Sequence, residues 1–341
     1  MSRRYSGSVI SATKLAPSIA SASGVWSLSS QIQAITSSSW PVPRTYLNYI
    51  TPGTYTFTVP GGVTLISAMA VGGGGAGDDG KSGDGGGGGG GGGAACYFSN
   101  LTVTPGQTMT VVVGAGGPAT SIKGSKAPDG TASSITFGSF VMTATGGIGG
   151  SPYSTNPGAS PSSPSFSNTP IGTTTGGFAG GGGGAGYNGG GGGGGAGGLG
   201  GVGGNGSASR VASGQYNSTT PATNGGGGGG GGADVLFSNG TTNNGYTSGS
   251  GGAGQYDTTG GGGGGSATYS ASVPSTAGGV GNGSTSAPSQ GGAGGFPGGG
   301  GGGSFDNGTG LASAGGGGFV RIVWGTNDNG TRQFPTNAGD T

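Results

Sequence analysis

The chain has 341 residues, of which 100 are glycine and only 6% are charged, so a large side-chain core is excluded. Ten Lys and Arg residues against nine Asp residues leave a net charge of +1, which gives no bulk attraction for nucleic acid or for an anionic membrane. Histidine is absent and Cys96 is the single cysteine, so disulfide frameworks, zinc sites and Ser-His-Asp or Cys-His groups within one chain are excluded. We therefore expect a protein that is not an enzyme and that uses no metal or cofactor. No apolar run approaches a membrane span of roughly 18 residues, and residues 1–20 lack the apolar stretch of a secretory signal.

Residues 1–50 differ from the rest of the chain, because they are rich in serine and contain Trp26 and Trp40. Leu28, Ile32 and Ile35 follow a helical spacing, and Ser27 is a suitable N-cap, so the sequence predicts a short amphipathic helix. Such a helix is marginal in isolation and needs a surface to pack on. Two interpretations remain open: an arm packed on its own chain, or an arm that docks onto another protein.

The pattern becomes typical of β-strands from Thr54 onward. In TYTFTVP, Tyr55, Phe57 and Val59 alternate with threonines, and VTLISAMAV follows after a turn at Pro60 and Gly61. LTVTPGQTMTVVVG predicts a hairpin with Pro105 and Gly106 in a type II turn, where glycine supplies the positive φ. SSITFG and SFVMTA, within 133–144, predict another strand pair.

The sequence predicts no strands between residue 144 and the block FVRIVW at 319–324. A lone strand is unstable, so we expect this block to return and pair with the strands of 54–144. Residues 146–318 then form one long excursion from a small β-sandwich.

Most of the glycine lies in that excursion, and a further run, 85–93, interrupts the β region. The runs lack the Gly-X-Y period of collagen, so they are either disordered linkers or polyglycine II helices packed side by side. Ordering one residue costs roughly 1–2 kcal/mol, so no run is ordered alone, whereas an array lets each run exchange hydrogen bonds with several neighbours. Aromatic residues are confined to the spacers between runs, which favours the packed array.

The predicted fold is all-β with a non-regular glycine-rich part: a small antiparallel β-sandwich closed by a C-terminal strand, with a long inserted array of polyglycine II helices and exposed loops. The predicted division has four parts. They are an N-terminal segment (1–50), the β-sandwich (51–147 with 315–326, and a polyglycine insertion at 72–93), the array with its loops (148–314) and a C-terminal tail (327–341).

Several blocks outside the glycine runs occur in an order that resembles a known group of proteins. SASGVWSLSSQIQA, SSSWPVP, YTFTVPGGVTLISAMAVGGGGAG, NLTVTPGQTMTVVVGAGG, GGGGFVRIVWG and RQFPTN look like blocks of glycine-rich structural proteins of bacteriophages, especially marine ones. The middle region is similar in style to the distal adhesin of T-even-type phages, in which packed polyglycine II helices carry variable loops that touch the host receptor. This sequence departs from that adhesin in its N-terminal segment and its split sandwich.

The resemblance implies a virion protein, with a tail-fibre or tail-tip adhesin as the leading hypothesis and a capsid or tail decoration protein as the alternative. It implies synthesis in the host bacterial cytoplasm, a position on the virion exterior, and no nucleic acid partner. Expected partners are other virion proteins and a host polysaccharide or outer-membrane protein. We also expect a homo-oligomer, such as a trimer, or a cap on an oligomeric fibre. The candidate virion-attachment residues are Trp26, Leu28, Ile32, Ile35 and Trp40.

The candidate receptor-binding residues lie in the spacers between the glycine runs. In these spacers rigid aromatic residues occur among Ser, Thr and Asn, as in many binding loops. The candidates are Tyr153, Phe166, Arg210, Tyr216, Phe237, Tyr246, Tyr256, Tyr269 and Phe305. The other interpretation is that these rings only cover the ends of the array. An ice-binding or other material protein is a third hypothesis, which the irregular aromatic spacers do not favour.

Other motifs carry less weight. GAGDDGKS (75–82) has the spacing of a phosphate-binding loop, but a glycine run follows it where that loop needs a helix. Asp78, Asp79 and Asp84 have oxygen ligands suited to Ca²⁺, yet no acidic repeat recurs, so Lys81 and these aspartates are interpreted as a solvated turn. The nine Asp residues show no pattern that marks a glycosidase pair. Cys96 is expected to be a small buried hydrophobe.

Overall fold

A computed structural model describes residues 27–37, 45–80, 86–119, 125–152, 163–186, 191–198, 202–206, 291–304, 313–327 and 330–334. In these residues one helix precedes two five-stranded antiparallel sheets, and a two-stranded ladder lies near the C-terminus. The predicted all-β class is confirmed. The described helix is too short to span a membrane.

Helix α1 (Leu28–Thr36) forms where the spacing of its apolar residues predicts it. The Ser27 Oγ accepts a hydrogen bond from the Ser30 N–H at 3.2 Å, as an N-cap does. At the other end the Thr36 hydroxyl donates to the Ile32 carbonyl at 2.8 Å. Ala34 is buried, whereas Leu28 and Ile32 are exposed.

The strands divide between two sheets. They are β1 (Thr45–Tyr49), β2 (Gly53–Thr58), β3 (Leu65–Val71), β4 (Ala95–Thr102), β5 (Thr108–Val113), β6 (Ser133–Phe137), β7 (Phe140–Ala144), β8 (Pro164–Ser167), β9 (Thr174–Phe178), β10 (Phe319–Trp324), β11 (Thr326–Asn327) and β12 (Gly330–Thr331). The first sheet has the order β1-β10-β3-β4-β9, the second has β2-β5-β6-β7-β8, and β11 pairs with β12.

The main core lies between the two five-stranded sheets. In β2, Phe57 is buried while the threonines beside it are exposed, so the predicted alternation is confirmed. Phe57 packs against Trp324 of β10 with the ring centroids 5.5 Å apart, and Phe98 meets Phe140 edge-on at 5.4 Å. Strand β10 is buried along its whole length. It pairs with β3 and β1, which confirms the predicted return of the C-terminal block.

The turn at Pro105 and Gly106 has the predicted form, but the predicted hairpin is wrong. The Gln107 N–H donates to the Thr104 carbonyl at 3.1 Å, and Gly106 has a φ of 85°. The two strands nevertheless belong to different sheets, because the turn backbone bonds elsewhere. The Val103 N–H donates to Thr64 and the Gly106 N–H to Val59, so the chain crosses from one sheet to the other. The predicted pair β6–β7 is a true hairpin.

The prediction that no strand lies between residue 144 and β10 is wrong. Strands β8 and β9 add an edge strand to each sheet. The sequence TTGGF of β9 lacks a strand pattern, but Gly176 lies against the Tyr97 ring of β4, and Gly177 lies against Ala95 and Cys96 of the same strand. A Cβ on Gly176 would lie 2.5 Å from the Tyr97 Oη, so the pairing of β9 with β4 requires glycine at this position. Because glycine is unfavourable inside a strand, strand propensity does not predict β9.

The outer face of the first sheet is covered by the C-terminal segment 332–334. The Ser67 hydroxyl donates to the Arg332 carbonyl at 2.9 Å, and the Ser99 hydroxyl donates to the Phe334 carbonyl at 2.8 Å. Phe334 joins a second apolar cluster on this face, beside the buried Arg321, whose guanidinium lies 4.1 Å from the centroid of the Tyr46 ring.

Candidate functional site

Most strands of the sandwich continue at one end into glycine-rich runs, which together form what we call the glycine array. The described runs are 72–78, 86–94, 114–117, 127–131, 145–151, 179–186, 191–198, 202–206, 291–295, 298–304 and 313–318. The first two extend β3 and β4, which are neighbours in the first sheet. The array is therefore a direct extension of the sandwich.

The backbone of run 72–78 is hydrogen-bonded on all sides. Its N–H groups donate in turn to three other runs: Gly72, Gly75 and Asp78 bond to Ala94, Gly91 and Gly88. Gly73 and Ala76 bond to run 127–131, and Gly74 and Gly77 bond to run 313–318. Its carbonyls accept from runs 114–117, 145–151 and 298–304, so the run has six neighbours.

Run 86–94 repeats this arrangement. Its N–H groups donate in rotation to runs 298–304, 145–151 and 179–186, with distances of 2.7–3.0 Å. Each step of three residues along this run moves the partner three residues back along the neighbour, as Gly87, Gly90 and Gly93 show with Ser304, Gly301 and Gly298. Successive N–H groups thus point to three different neighbouring runs, and the fourth returns to the first, as expected for packed polyglycine II helices with three residues per turn. The helical rise itself stays a prediction.

Only glycine permits this closeness over most of the array. A Cβ on Gly74 would lie 2.1 Å from the Gly299 carbonyl oxygen, and one on Gly92 would lie 2.0 Å from that of Gly195. Alanine occurs at the few interior positions that have room for a methyl group, such as Ala76 and Ala196. Side chains larger than a methyl group are therefore absent from the described interior of these two central runs. Side chains that could bind a partner must lie on the surface of the array or at its ends.

The hydrogen bonds define a far end of the array, opposite the sandwich. Asp78, Gly88 and Ser304 lie at one level there, since the Asp78 N–H donates to Gly88 and the Ser304 N–H donates to Asp78, both at 2.9 Å. Ser151 and Gly191 lie at the same end, bonded to Gly88 and Gly87. An extended run of this length reaches roughly 20 Å, which separates the far end from the sheets.

Asp78 and Asp79 lie at this far end and are both buried, with 2% of each residue exposed. Their interpretation as a solvated turn is wrong, because run 72–78 extends further than the sequence indicates and neighbouring runs enclose its end. The Asp78 Oδ1 accepts the Gly80 N–H at 2.8 Å. Burial raises the pKa of the Asp78 carboxyl to about 7; the bond from Gly80 opposes this rise and the charge of Asp79 adds to it.

The segment with the spacing of a phosphate-binding loop, 75–82, is described as far as Gly80. It is an extended run and its backbone amides are engaged: the Gly75 N–H donates to Gly91 and the Gly77 N–H to Ser313. Lys81 and Asp84 lie outside the described residues. The described residues hold no group of three or more His, Cys, Asp or Glu side chains placed for a metal ion.

Most of the candidate receptor-binding residues lie outside the described residues. They are Tyr153, Arg210, Tyr216, Phe237, Tyr246, Tyr256, Tyr269 and Phe305. Phe166 is described, and its placement in a loop was wrong: it lies in β8, opposite Met142, and packs against the main core. The serine-rich sequence PSFS resembles a spacer, but its half-buried and exposed residues alternate and form an edge strand.

The candidate attachment residues are also only partly described. Trp26, Trp40 and the side chain of Ile35 lie outside the described part. Leu28 and Ile32 are 73% and 53% exposed, so both are accessible on α1.

The sequence did not single out Ser133, which joins the sandwich to the array. This buried serine donates to the Val71 carbonyl at 2.6 Å and accepts the Gly114 N–H at 2.9 Å. A serine in SSITFG carries no distinguishing pattern, because its partners come from strands distant in sequence.

A family model described as a glycine-rich domain matches residues 50–279, which is more than half of the chain. No curated protein matches the chain.

Proposed function

The chain belongs to the glycine-rich domain family, and from this premise we propose that it is a structural protein of a bacteriophage virion that acts as a tail-fibre or tail-tip adhesin. The observation that carries the proposal is the two-ended arrangement of the described part. A sandwich lies at one end, and the long connections between glycine runs leave from the other.

The sequence positions of the candidate residues support this proposal. Segment 207–290 joins Gly206 to Gly291, and segment 305–312 joins Ser304 to Ser313. Ser304 and Ser313 belong to the far-end level, since the Ser304 N–H donates to Asp78 and Ser313 accepts from Gly77. The Gly206 N–H donates to Gly182, and Gly292, which follows Gly291, accepts from Gly302. Seven of the nine candidates, from Arg210 to Phe305, fall in these two segments by sequence.

The array supplies a rigid frame for such segments. Binding residues are commonly carried on connections that a hydrogen-bonded scaffold positions, and a frame with fixed ends lowers the entropy lost on binding. A chain with 6% charged residues offers little charge for recognition, so aromatic rings with Ser, Thr and Asn are the groups available to it. That chemistry suits a host surface polysaccharide, through ring stacking and hydrogen bonds, or an outer-membrane protein.

In this proposal the N-terminal segment attaches the protein to other virion proteins, and the protein is made in the host cytoplasm. A decoration protein without a receptor would use the same scaffold, but its far-end segments would contact only the particle.

The test is binding of the purified full chain to a panel of bacterial cells and to surfaces coated with their lipopolysaccharide. We expect binding to a subset of strains. Replacing Tyr216, Tyr246 and Tyr256 together by Ser should weaken that binding by roughly tenfold or more, because rigid aromatic residues dominate most interfaces. Phe166→Leu, which removes a ring that packs against the core but keeps an apolar side chain there, should leave binding unchanged.

Failure of the wild-type chain to bind any strain, or equal binding by the triple variant, would reject the adhesin hypothesis. The unfolding transition of each variant is measured alongside, so that loss of binding is not confused with loss of the fold.

A further inference from the structure

Exposed aliphatic side chains concentrate near the N-terminal end of the described part. Six large apolar residues of the described part are exposed, and four of them lie between residues 28 and 50. They are Leu28, Ile32, Leu47 and Ile50. Leu28 and Ile32 are four residues apart and share one face of α1, and exposed apolar side chains grouped on one face mark an interaction surface more often than scattered ones do.

The spacing on α1 is that of a coiled-coil seam. Leu28, Ile32 and Ile35 are separated by four and three residues, and Val25 precedes them by three, which places the four at consecutive a, d, a and d positions of a heptad. The described members of this seam, Leu28 and Ile32, are 73% and 53% exposed, so the seam is open to a partner. A nine-residue helix is marginal alone and gains its stability from packing.

The surroundings of the seam favour an identical partner. No charged residue occurs between Leu15 and Pro43, and the positions that flank the seam are Ser29, Gln31 and Thr36. Flanking charges of a single sign repel an identical helix and favour a partner of opposite charge. An uncharged surface has no such repulsion and is complementary to itself.

We propose that α1 packs against α1 of further copies of this chain, with Leu28 and Ile32 forming the contact. The inference goes beyond the attachment part of the proposed function, since it assigns α1 to a contact between copies and leaves contacts with other virion proteins to the rest of the N-terminal segment. It does not depend on receptor binding. An oligomer held at α1 presents several arrays together, and multivalent display increases avidity for a repetitive cell surface.

The test is sedimentation velocity of the full chain over a wide range of concentrations. We expect a mass of two or more copies for the wild type, with its order given by the measured mass. Leu28→Gln with Ile32→Gln should raise the dissociation constant by on the order of 100-fold, because two large aliphatic side chains lose their burial. Glutamine keeps the helix propensity of α1.

Ile171→Gln is the matched control, because Ile171 is fully exposed and belongs to the connection between β8 and β9 rather than to α1. It should leave the mass unchanged. Hydrogen exchange of the amides of 28–36 gives a second measurement, and their protection should fall when the wild type is diluted. A monomeric wild type, or an oligomer that the double variant leaves intact, overturns the proposal. A monomer that still binds cells leaves the adhesin hypothesis standing.

Discussion

Replacing Gly74 with alanine should disrupt the centre of the array. The new Cβ would lie 2.1 Å from the Gly299 oxygen and 2.5 Å from the Gly299 carbonyl carbon, so the two runs must separate by about 1 Å or more to restore an ordinary contact. The Gly74 N–H bonds to Gly316 and its carbonyl accepts from Gly117, both at 2.8 Å, and such a movement strains both bonds.

The expected cost follows from these contacts. Overpacking costs roughly 1–3 kcal/mol, and two weakened hydrogen bonds add about 1 kcal/mol each. The lower entropy of the unfolded alanine chain offsets about 0.4–1 kcal/mol of this. We therefore expect the free energy of unfolding to fall by roughly 2–4 kcal/mol.

The array offers a matched control and an intermediate case. A Cβ on Gly317 would meet only the Phe296 ring, at 3.8 Å, so Gly317→Ala should be neutral or slightly stabilising. A Cβ on Gly88 would lie 3.1 Å from the Ser151 oxygen, so Gly88→Ala should fall between the other two. The measurements are chemical unfolding and hydrogen exchange of the amides of 72–94. Equal stability of the Gly74 and Gly317 variants would refute the close packing of these runs.

Three further predictions concern buried polar groups and the thiol. The pKa of the Asp78 carboxyl is raised from its ordinary value near 3.8 to about 7. The protonated carboxyl therefore contributes its full stabilisation below pH 3.8, and this stabilisation is lost as the pH rises through 7. Asp78→Asn should remove this dependence and raise the melting temperature at pH 8, whereas equal melting curves of both proteins from pH 4 to 8 would contradict it. Ser133→Ala should lower the free energy of unfolding by roughly 2–3 kcal/mol, because it removes two buried hydrogen bonds, and the half-buried Ser134→Ala serves as control in the same denaturation series. Burial raises the pKa of the Cys96 thiol, so iodoacetamide should label it only in denaturant; rapid labelling of the native protein, followed by mass spectrometry, would show that the thiol is reached in the fold.

Much of the sandwich is predictable from local pattern. The alternation in β2, the turn at Pro105 and Gly106, and the return of β10 each depend on side chains that a strand or turn selects directly. The sheet to which a strand belongs depends on backbone partners that are distant in sequence. Local sequence therefore predicts a hairpin around the turn of 104–107, whereas β4 and β5 belong to different sheets. Strand β9 could not be predicted, because its glycines are required by close contacts with β4 rather than by strand propensity.

The far end of the array shows the same limit. Composition predicts that glycine runs pack together, but it does not predict where a run ends. The burial of Asp78 and Asp79 therefore could not be predicted from the sequence. Polar residues after a glycine run resemble a surface turn in sequence, and only the neighbouring runs determine that they are enclosed. The aromatic residue of β8 was misassigned for a similar reason, since its neighbours PSFS resemble a serine-rich spacer.

The rotation of hydrogen-bond partners constrains how such a chain can change its length. Each residue of runs 72–78 and 86–94 donates to the same neighbour as the residue three positions away. Inserting one glycine turns every later donor toward the wrong neighbour, whereas inserting three restores the match one step further along. Growth of the array is thus expected in units of three residues and in several runs together, while the segments beyond its far end are free to vary in length one residue at a time.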